Sequence, residues 1–271
     1  MKKIGFVGLG AMGEPMVANL LKAGFLVASY VNRSRETMER LAPEGLEEVD
    51  GPAALGAWAD VLMCCVFDEA QNDQVLRGDD GALAHMRAGS VVMLMSTISP
   101  GYCRTLAEEA LTREITVLDC PLSGLPQGAV AGTLSLMIGG PAAAVEACTD
   151  VLAPLGTVRH CGEIGAGQVT KLANNAIVLG TYSLLLEVRD LVEQSGLDVA
   201  NFMERLNQST GRSFVSENFP LRPGRLQMRG MPAKDVGTCI QVADAMGLSL
   251  PMVQQCFDAG TAAAEAHAEG N

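Results

Sequence analysis

The sequence predicts a doubly wound α/β domain with a mostly parallel sheet, followed by an all-α C-terminal domain. Before Gly165, short apolar runs alternate with segments of helical periodicity, which is typical of strand–helix–strand units. After Gly165 the strand signals end and helical periodicity continues. We therefore place a sheet domain at 1–162 and a helical domain at 163–271.

The chain begins with a predicted strand at 3–7, a glycine-rich turn and a predicted helix at 11–23. In such a turn the first glycine allows a tight bend, the second lets backbone amides approach a pyrophosphate, and the third lets the helix pack on the strand. The alternative is a glycine turn without a ligand. We favour a dinucleotide site, formed by Gly8, Leu9, Gly10, Ala11, Met12 and Gly13.

Six further strands and four further helices are expected in the sheet domain. The strands lie near 26–31, 61–66, 90–95, 115–119, 133–138 and 157–161, and the helices near 34–42, 70–77, 100–111 and 142–153. Ligands of parallel sheets bind beyond the carboxyl ends of the strands. The segments 66–68, 96–98 and 121–124 should therefore line the site, with Val66 and Phe67 beside the cofactor.

The residues after the second strand indicate which cofactor binds. A site specific for NAD would offer an acidic side chain here to the ribose hydroxyls, but the chain has Asn32 and Arg33. A neutral amide followed by a guanidinium favours a 2′-phosphate, so NADP(H) is preferred over NAD(H). In the alternative interpretation, Asn32 only makes a turn, and Arg33 and Arg35 begin a solvated helix face.

The segment 165–175, GAGQVTKLANN, predicts the start of a long apolar helix over about 166–195. Lys171 and Asn175 would lie one turn apart on one face. The positive end of the helix dipole would attract a carboxylate substrate and lower the pKa of Lys171. A surface lysine beside a helix cap is the alternative. We expect this helix to join the two domains and to bury its apolar surface against a partner subunit.

Composition excludes several classes of protein. The net charge of -12 and the pI near 4.7 argue against nucleic acid or an anionic membrane as partner. No apolar run is long enough to span a membrane, and Met1 leads directly into a strand, so we expect a cytoplasmic protein. The eight cysteines form no CxxC pair and no cluster with histidine. We expect apolar fillers and no metal site, with a reactive thiol at Cys120 as the alternative.

Four blocks of sequence, in order and with matching spacing, carry a resemblance to a known family. They are 8–13 followed by Pro15 and Met16; 96–100, STISP; 119–124, DCPLSG, leading to 128–129 and 132–134; and 165–175. A shorter fifth block is Lys234 with Asp235. With these blocks the chain resembles the β-hydroxyacid dehydrogenases, the group of 3-hydroxyisobutyrate dehydrogenases and of tartronate, glyoxylate and succinic semialdehyde reductases. The resemblance spans nearly the whole chain.

The resemblance implies a Rossmann-type cofactor domain and a set of roles. Lys171 matches the catalytic lysine, which exchanges a proton with the carbonyl or alcohol oxygen. Ser123 and Gly124 match the anchor of the substrate carboxylate, and Asn175 its companion. Thr97 and Lys234 match positions that touch the cofactor. The implied activity is NADP(H)-dependent interconversion of a small 3-hydroxy acid and its semialdehyde, in a homodimer or homotetramer.

Some features depart from the family pattern, and other interpretations exist. The family has a second glycine where this chain has Leu125, so the pocket is expected to be narrower or reshaped, and the segment 219–230 is shorter than usual. An imine reductase shares the architecture but usually lacks the lysine. A 6-phosphogluconate dehydrogenase would add a histidine after the lysine and a larger helical domain. A non-enzymatic NADP-binding regulator would need only the motifs of the first domain.

Overall fold

The computed structural model describes residues 2–32, 35–219 and 232–259. The chain divides into two compact units between Lys171 and Leu172. Among the described residues, every helix is too short or too polar to span a membrane. The same residues contain no group of three or more side chains that could hold a metal ion.

The first unit contains one mixed sheet. Its strands are β1 Lys3–Val7, β2 Leu26–Ser29, β3 Glu47–Glu48, β4 Val61–Cys64, β5 Val91–Leu94, β6 Thr116–Asp119, β7 Leu122–Ser123, β8 Leu134–Gly139 and β9 Gly156–Gly162. They are ordered β3-β2-β1-β4-β5-β6-β8-β7, and β9 pairs with β8. Strands β1 to β6 are parallel, whereas β8 is antiparallel to β6 and β7. The prediction of a doubly wound, mostly parallel sheet is confirmed.

Nine helices are described between these strands. They are α1 Gly13–Lys22, α2 Glu36–Leu41, α3 Pro52–Trp58, α4 Glu69–Leu76, α5 Ala82–His85, α6 Pro100–Leu111, α7 Leu125–Ala131, α8 Ala142–Ala147 and α9 Thr149–Leu152. Two of them, α4 and α6, begin with a side-chain cap. The Asp68 side chain accepts a hydrogen bond from the Gln71 amide, and Ser99 caps α6 ahead of Pro100.

Two apolar layers cover the two faces of the sheet. Because successive strand residues point to opposite faces, Met63 joins one layer while Leu62 and Cys64 join the other. Cys65 packs on the face opposite Cys64. Burial raises the pKa of the Cys64 and Cys120 thiols well above the usual value, so both are held as neutral thiols. That protonation argues against a reactive thiol at Cys120.

In its described part, the second unit is helical. Helix α10, Ala166–Gln194, contains the boundary between the units; α11 Val199–Asn207, α12 Phe214–Glu217, α13 Gly237–Ala245 and a last helix α14 at 251–259 follow. A π-helical turn, Pro232–Val236, precedes α13. A small apolar cluster is formed by Leu185, Met203 and Phe219, with the Tyr182 ring 5.4 Å from that of Phe219.

Several short elements differ from the sequence prediction. The second strand ends at Ser29, and the helix predicted at 142–153 is divided into α8 and α9. The strands β3 and β7 and the helices α3, α5 and α7 were not predicted. Strand β3 contains only Glu47 and Glu48, which lie exposed at the sheet edge and show no apolar alternation.

Candidate active site

The three glycines of the first turn have different surroundings. Gly8 has a φ of 97°, and a Cβ there would lie 2.1 Å from the carbonyl oxygen of Cys65. A Cβ on Gly13 would lie 2.0 Å from the carbonyl oxygen of Gly8. At Gly10, a Cβ would meet nothing within 4 Å. The backbone therefore requires Gly8 and Gly13, whereas Gly10 faces open space at the start of a helix, where a phosphate can bind.

A cleft of about 310 Å³ opens beside this turn. It brings together residues that follow β1, β2 and β4, all at the carboxyl ends of their strands. Its lining includes most of the predicted cofactor residues of this region: Gly8, Leu9, Gly10, Asn32, Val66 and Phe67, with Tyr30, Thr37, Cys65 and Gln71. Ala11 and Met12 lead from the turn into α1. The open space at Gly10 and the neutral lining fit a dinucleotide.

Of the two residues predicted to favour the 2′-phosphate of NADP(H), the structure describes one. Asn32 lines the cleft, but Arg33 lies outside the described residues. Arg35 makes two hydrogen bonds to the carboxylate of Glu48, at 2.8 and 2.9 Å. This exposed ion pair supports the interpretation of Arg35 as part of a solvated helix face.

The turn that follows β5 is tied to the loop that follows β4. The Ser96 hydroxyl donates to the carbonyl oxygen of Val66 at 2.7 Å and accepts from the Asn72 amide at 3.1 Å. The Ser99 amide donates to the Glu69 carboxylate at 2.8 Å. Thr97 lies between these two anchors, so its backbone is held at the same edge of the sheet as the cleft.

A glutamine in the first turn of α10 holds the peptide groups on both sides of Thr97. The Gln168 side-chain amide donates to the carbonyl oxygen of Ser96 at 2.8 Å, and its oxygen accepts from the Ile98 amide at 3.1 Å. Gln168 is completely buried. Lys171 follows three residues later in the same helix and is 8% exposed. The predicted catalytic lysine is therefore a buried residue one helical turn after the glutamine that holds the predicted cofactor turn.

The start of α10 is held by a carboxylate from the end of β6. Asp119 accepts hydrogen bonds from the amides of Gly165 at 2.6 Å and Gln168 at 2.7 Å. Burial raises the pKa of this carboxyl, and the hydrogen bonds from these amides act in the opposite direction. A Cβ on Gly167 would lie 2.7 Å from an Asp119 oxygen and 2.3 Å from the Met137 carbonyl oxygen. Gly167 thus leaves room for the buried carboxylate.

This arrangement bears on one expectation from the sequence. The positive end of the α10 helix dipole was expected to attract a carboxylate substrate and to lower the pKa of Lys171. Two of the amides at this helix start are already bound to Asp119, whose carboxylate opposes the positive end of the helix dipole. These two amides are therefore not available to a substrate carboxylate.

The loop expected to bind that carboxylate lies at the edge of the sheet. Ser123 is in β7, opposite Ser135 of β8, and is partly exposed. Gly124 has a φ of 141° and leads into α7. Leu125 has a φ of 60°, in the left-handed region that favours glycine, and is 51% exposed. The glycine expected from the family pattern is thus replaced by a strained, half-exposed leucine.

Two further predicted residues are connected within the second unit. The Asn175 side chain donates to the Asp235 carboxylate at 2.7 Å, and both residues are buried. The Lys234 ammonium lies 3.6 Å from the other Asp235 oxygen. Asp235 therefore connects Asn175 with Lys234.

Three residues at these places had no role in the sequence interpretation. Asp119 and Asp235 stand in blocks shared with the family, and Gln168 stands in the glycine-rich segment 165–175. A signal did exist for Asp119, because an acidic residue at the end of an apolar strand must find hydrogen-bond donors when buried. The partners of Gln168 are 70 or more residues away, and no local pattern indicates them.

Family models cover nearly the whole chain. Residues 3–166 match the NAD binding domain of 6-phosphogluconate dehydrogenase, and residues 165–271 match the model described as NAD-binding of NADP-dependent 3-hydroxyisobutyrate dehydrogenase. The chain belongs to the β-hydroxyacid dehydrogenase family. This dehydrogenase is therefore an oxidoreductase that uses a nicotinamide cofactor, and the non-enzymatic alternative is set aside.

Individual relatives agree with this assignment. The dehydrogenase is 34% identical over 266 residues to a 3-hydroxyisobutyrate dehydrogenase of Pseudomonas aeruginosa, covering 93% of this chain and 89% of that protein. An NAD-dependent L-serine dehydrogenase of the same organism is 33% identical over 270 residues, with the same coverages. Among solved structures, Mycobacterium tuberculosis 3-hydroxyisobutyrate dehydrogenase with L-serine has a TM-score of 0.83 at 27% identity, covering 97% of this chain and 94% of that chain.

Proposed function

We propose that this dehydrogenase interconverts a small 3-hydroxy acid and its semialdehyde with NADP(H), using Lys171 as the general acid and base. The burial of Lys171, one turn after the glutamine that holds the Thr97 turn, carries this proposal. Burying an amine costs free energy unless its surroundings compensate, so such a lysine calls for an explanation beyond surface charge.

The division of chemistry is simple. The bound nicotinamide supplies or accepts the hydride. Lys171 donates its proton to the carbonyl oxygen during reduction and takes a proton from the alcohol during oxidation. Ser123 and the Gly124 backbone bind the substrate carboxylate, with Asn175 as their companion, and thereby orient the carbonyl. Thr97 and Lys234 contact the cofactor.

The substrate class is supported by the names of the relatives. L-Serine and 3-hydroxyisobutyrate are both small carboxylates with a hydroxyl on the third carbon, as the similar enzymes indicate. Within that class, the strained and half-exposed Leu125 beside Ser123 would narrow the space next to the carboxylate.

The preference for NADP(H) is supported by the uncharged side chains that line the cleft after β2. Among the described residues that line it, Asn32 and Thr37 are present and no carboxylate is. An acidic side chain here would repel a 2′-phosphate and bind the ribose hydroxyls of NAD. Because one similar enzyme is NAD-dependent by name, the preference has to be measured with both cofactors.

Assembly into a homodimer or homotetramer is supported by the surface of α10. Ile177, Leu184 and Leu191 are 70%, 60% and 66% exposed and recur at intervals of seven residues. Such a repeat forms one apolar stripe along a helix, which a second copy of the chain could cover.

The experiment that tests the proposal is the change Lys171→Ala. Loss of a positioned acid should lower kcat by roughly 10² to 10⁴ with a small semialdehyde and NADPH, while cofactor affinity measured by fluorescence changes little. Lys171→Arg should restore little, because a guanidinium keeps its proton near neutral pH. Lys22→Ala, at an exposed lysine in the last turn of α1, is the control and should keep full activity. A folded Lys171→Ala enzyme that retains more than about a tenth of kcat would exclude the acid role.

A further inference from the structure

The side chain of Gln168 bridges the two peptide groups that flank Thr97. Its amide donates to the peptide group before Thr97 and accepts from the peptide group after it, at 2.8 and 3.1 Å. Because Gln168 is completely buried, water cannot replace either hydrogen bond. The geometry of the Thr97 turn is thus tied to the first turn of α10.

The same turn of α10 is also fixed from the sheet. The Gln168 backbone amide donates to Asp119 at 2.7 Å, and the Gly165 amide donates to the other Asp119 oxygen at 2.6 Å. Gly167 allows the close approach of this carboxylate. Gln168 is therefore held through its backbone by the end of β6 and through its side chain by the turn after β5.

Lys171 lies one turn beyond this doubly held residue. A general acid must be within about 2.6 to 3.2 Å of the atom it protonates, and a displacement of about 1 Å can lower the rate by roughly 100-fold. Any rotation or shift of the first turn of α10 moves Lys171 relative to Thr97. The two sets of hydrogen bonds oppose that movement.

We propose that Gln168 is a positioning residue, which sets the place of Lys171 relative to the cofactor turn, with Asp119 as its anchor on the sheet. The inference rests on the proposed function, because it assigns Gln168 an effect that passes through Lys171. Gln168 itself takes no direct part in the hydride transfer or in the proton transfer.

The first test is the change Gln168→Glu, which preserves shape but removes one donor. The acceptor for the Ile98 amide is kept, whereas a carboxylate oxygen would face the Ser96 carbonyl oxygen. At neutral pH we expect kcat to fall roughly 10- to 100-fold, with less than about a threefold change in the Kd of NADPH. Lowering the pH should recover kcat relative to wild type, because the protonated acid can donate again.

A second measurement separates positioning from a loss of stability. With cofactor deuterated at the transferred position, the isotope effect on kcat should rise in Gln168→Glu, since misplaced groups slow the hydride step. Gln168→Met, similar in volume but without polar atoms, should show the same rise and no recovery at low pH. The control Gln74→Glu, at an exposed glutamine of α4 in the same unit, should leave kcat and the isotope effect unchanged.

The decisive comparison is a double-mutant cycle with Lys171→Ala. If Gln168 acts through Lys171, Gln168→Glu should cost less than about threefold in the Lys171→Ala enzyme. Equal losses in both backgrounds, or an unchanged isotope effect, would overturn the inference. Full activity of Lys171→Ala alone would instead refute the proposed function, so the two failures are distinguishable. If Gln168→Glu does not fold at neutral pH, Gln168→Met serves for the cycle.

Discussion

The glycine-rich turn makes a prediction that separates cofactor binding from folding. Gly10→Ala places a methyl group where no atom lies within 4 Å, and the Gly10 backbone is outside the left-handed region. Gly13→Ala places the same group 2.0 Å from the Gly8 carbonyl oxygen and 2.9 Å from the Phe6 ring. The first change should therefore affect only the bound cofactor, and the second should affect the fold.

The expected magnitudes follow from these surroundings. Gly10→Ala should leave stability unchanged or raise it by about 0.4 to 1 kcal/mol, because the unfolded chain loses freedom. The methyl group should block at least one amide-to-phosphate hydrogen bond, worth about 1.5 to 3 kcal/mol. That loss corresponds to a Kd for NADPH roughly 10- to 100-fold higher. Gly13→Ala should cost about 1 to 3 kcal/mol, since the nearest atom belongs to the backbone and cannot rotate away.

The assay combines thermal unfolding without cofactor and fluorescence titration with NADPH. The expected result is an unchanged Tm with weak binding for Gly10→Ala, and a lowered Tm for Gly13→Ala. If Gly10→Ala binds NADPH as tightly as wild type, the assignment of this turn to the pyrophosphate is refuted.

Three further predictions concern the cofactor, the substrate and assembly. Asn32→Asp should raise the KM for NADPH and lower that for NADH, because a carboxylate repels a 2′-phosphate and accepts from ribose hydroxyls; a wild-type enzyme with a lower KM for NADH would contradict the assignment. Ser123→Ala should raise the KM of carboxylate substrates roughly tenfold or more and leave an uncharged aldehyde nearly unaffected, whereas equal effects would indicate a structural role in the loop. Ile177→Glu, in the middle of an apolar stripe, should shift the assembly towards smaller species in sedimentation experiments, and an unchanged assembly would place the interface elsewhere.

The elements that sequence patterns predicted are those whose signal is local. Strands β4 and β5 are buried on both faces and appear as continuous apolar runs, and β1 and β6 are mostly apolar. The turn from 8 to 13 is short enough for its glycine spacing to carry the whole conformation. In contrast, β3 and β7 contain two residues each, and their strand character comes only from pairing with neighbours.

In the candidate site too, the features with a local signal were predicted and those that depend on distant residues were not. The segment 165–175 correctly indicates a helix start with Lys171 and Asn175 one turn apart, but no pattern within the segment indicates that two of its amides bind Asp119. Asp119 is 46 residues before Gly165, and Ser96 is 72 residues before Gln168, so only the folded sheet brings them together.

Because of these long-range contacts, the glycines of the first motif, 8–13, and those of the second motif, 165–175, have different roles. In the first motif, Gly10 leaves space that a ligand can enter, as the open surroundings of its missing Cβ show. In the second, Gly167 leaves space that the protein's own Asp119 already occupies. In the first motif, the anion at the helix start would be a phosphate of the cofactor, and in the second it is the Asp119 carboxylate. The two motifs differ in function, because one anion would arrive with the cofactor and the other is part of the chain. A substitution at Gly167 should therefore act on the placement of Lys171 and on stability, whereas one at Gly10 should act on cofactor affinity.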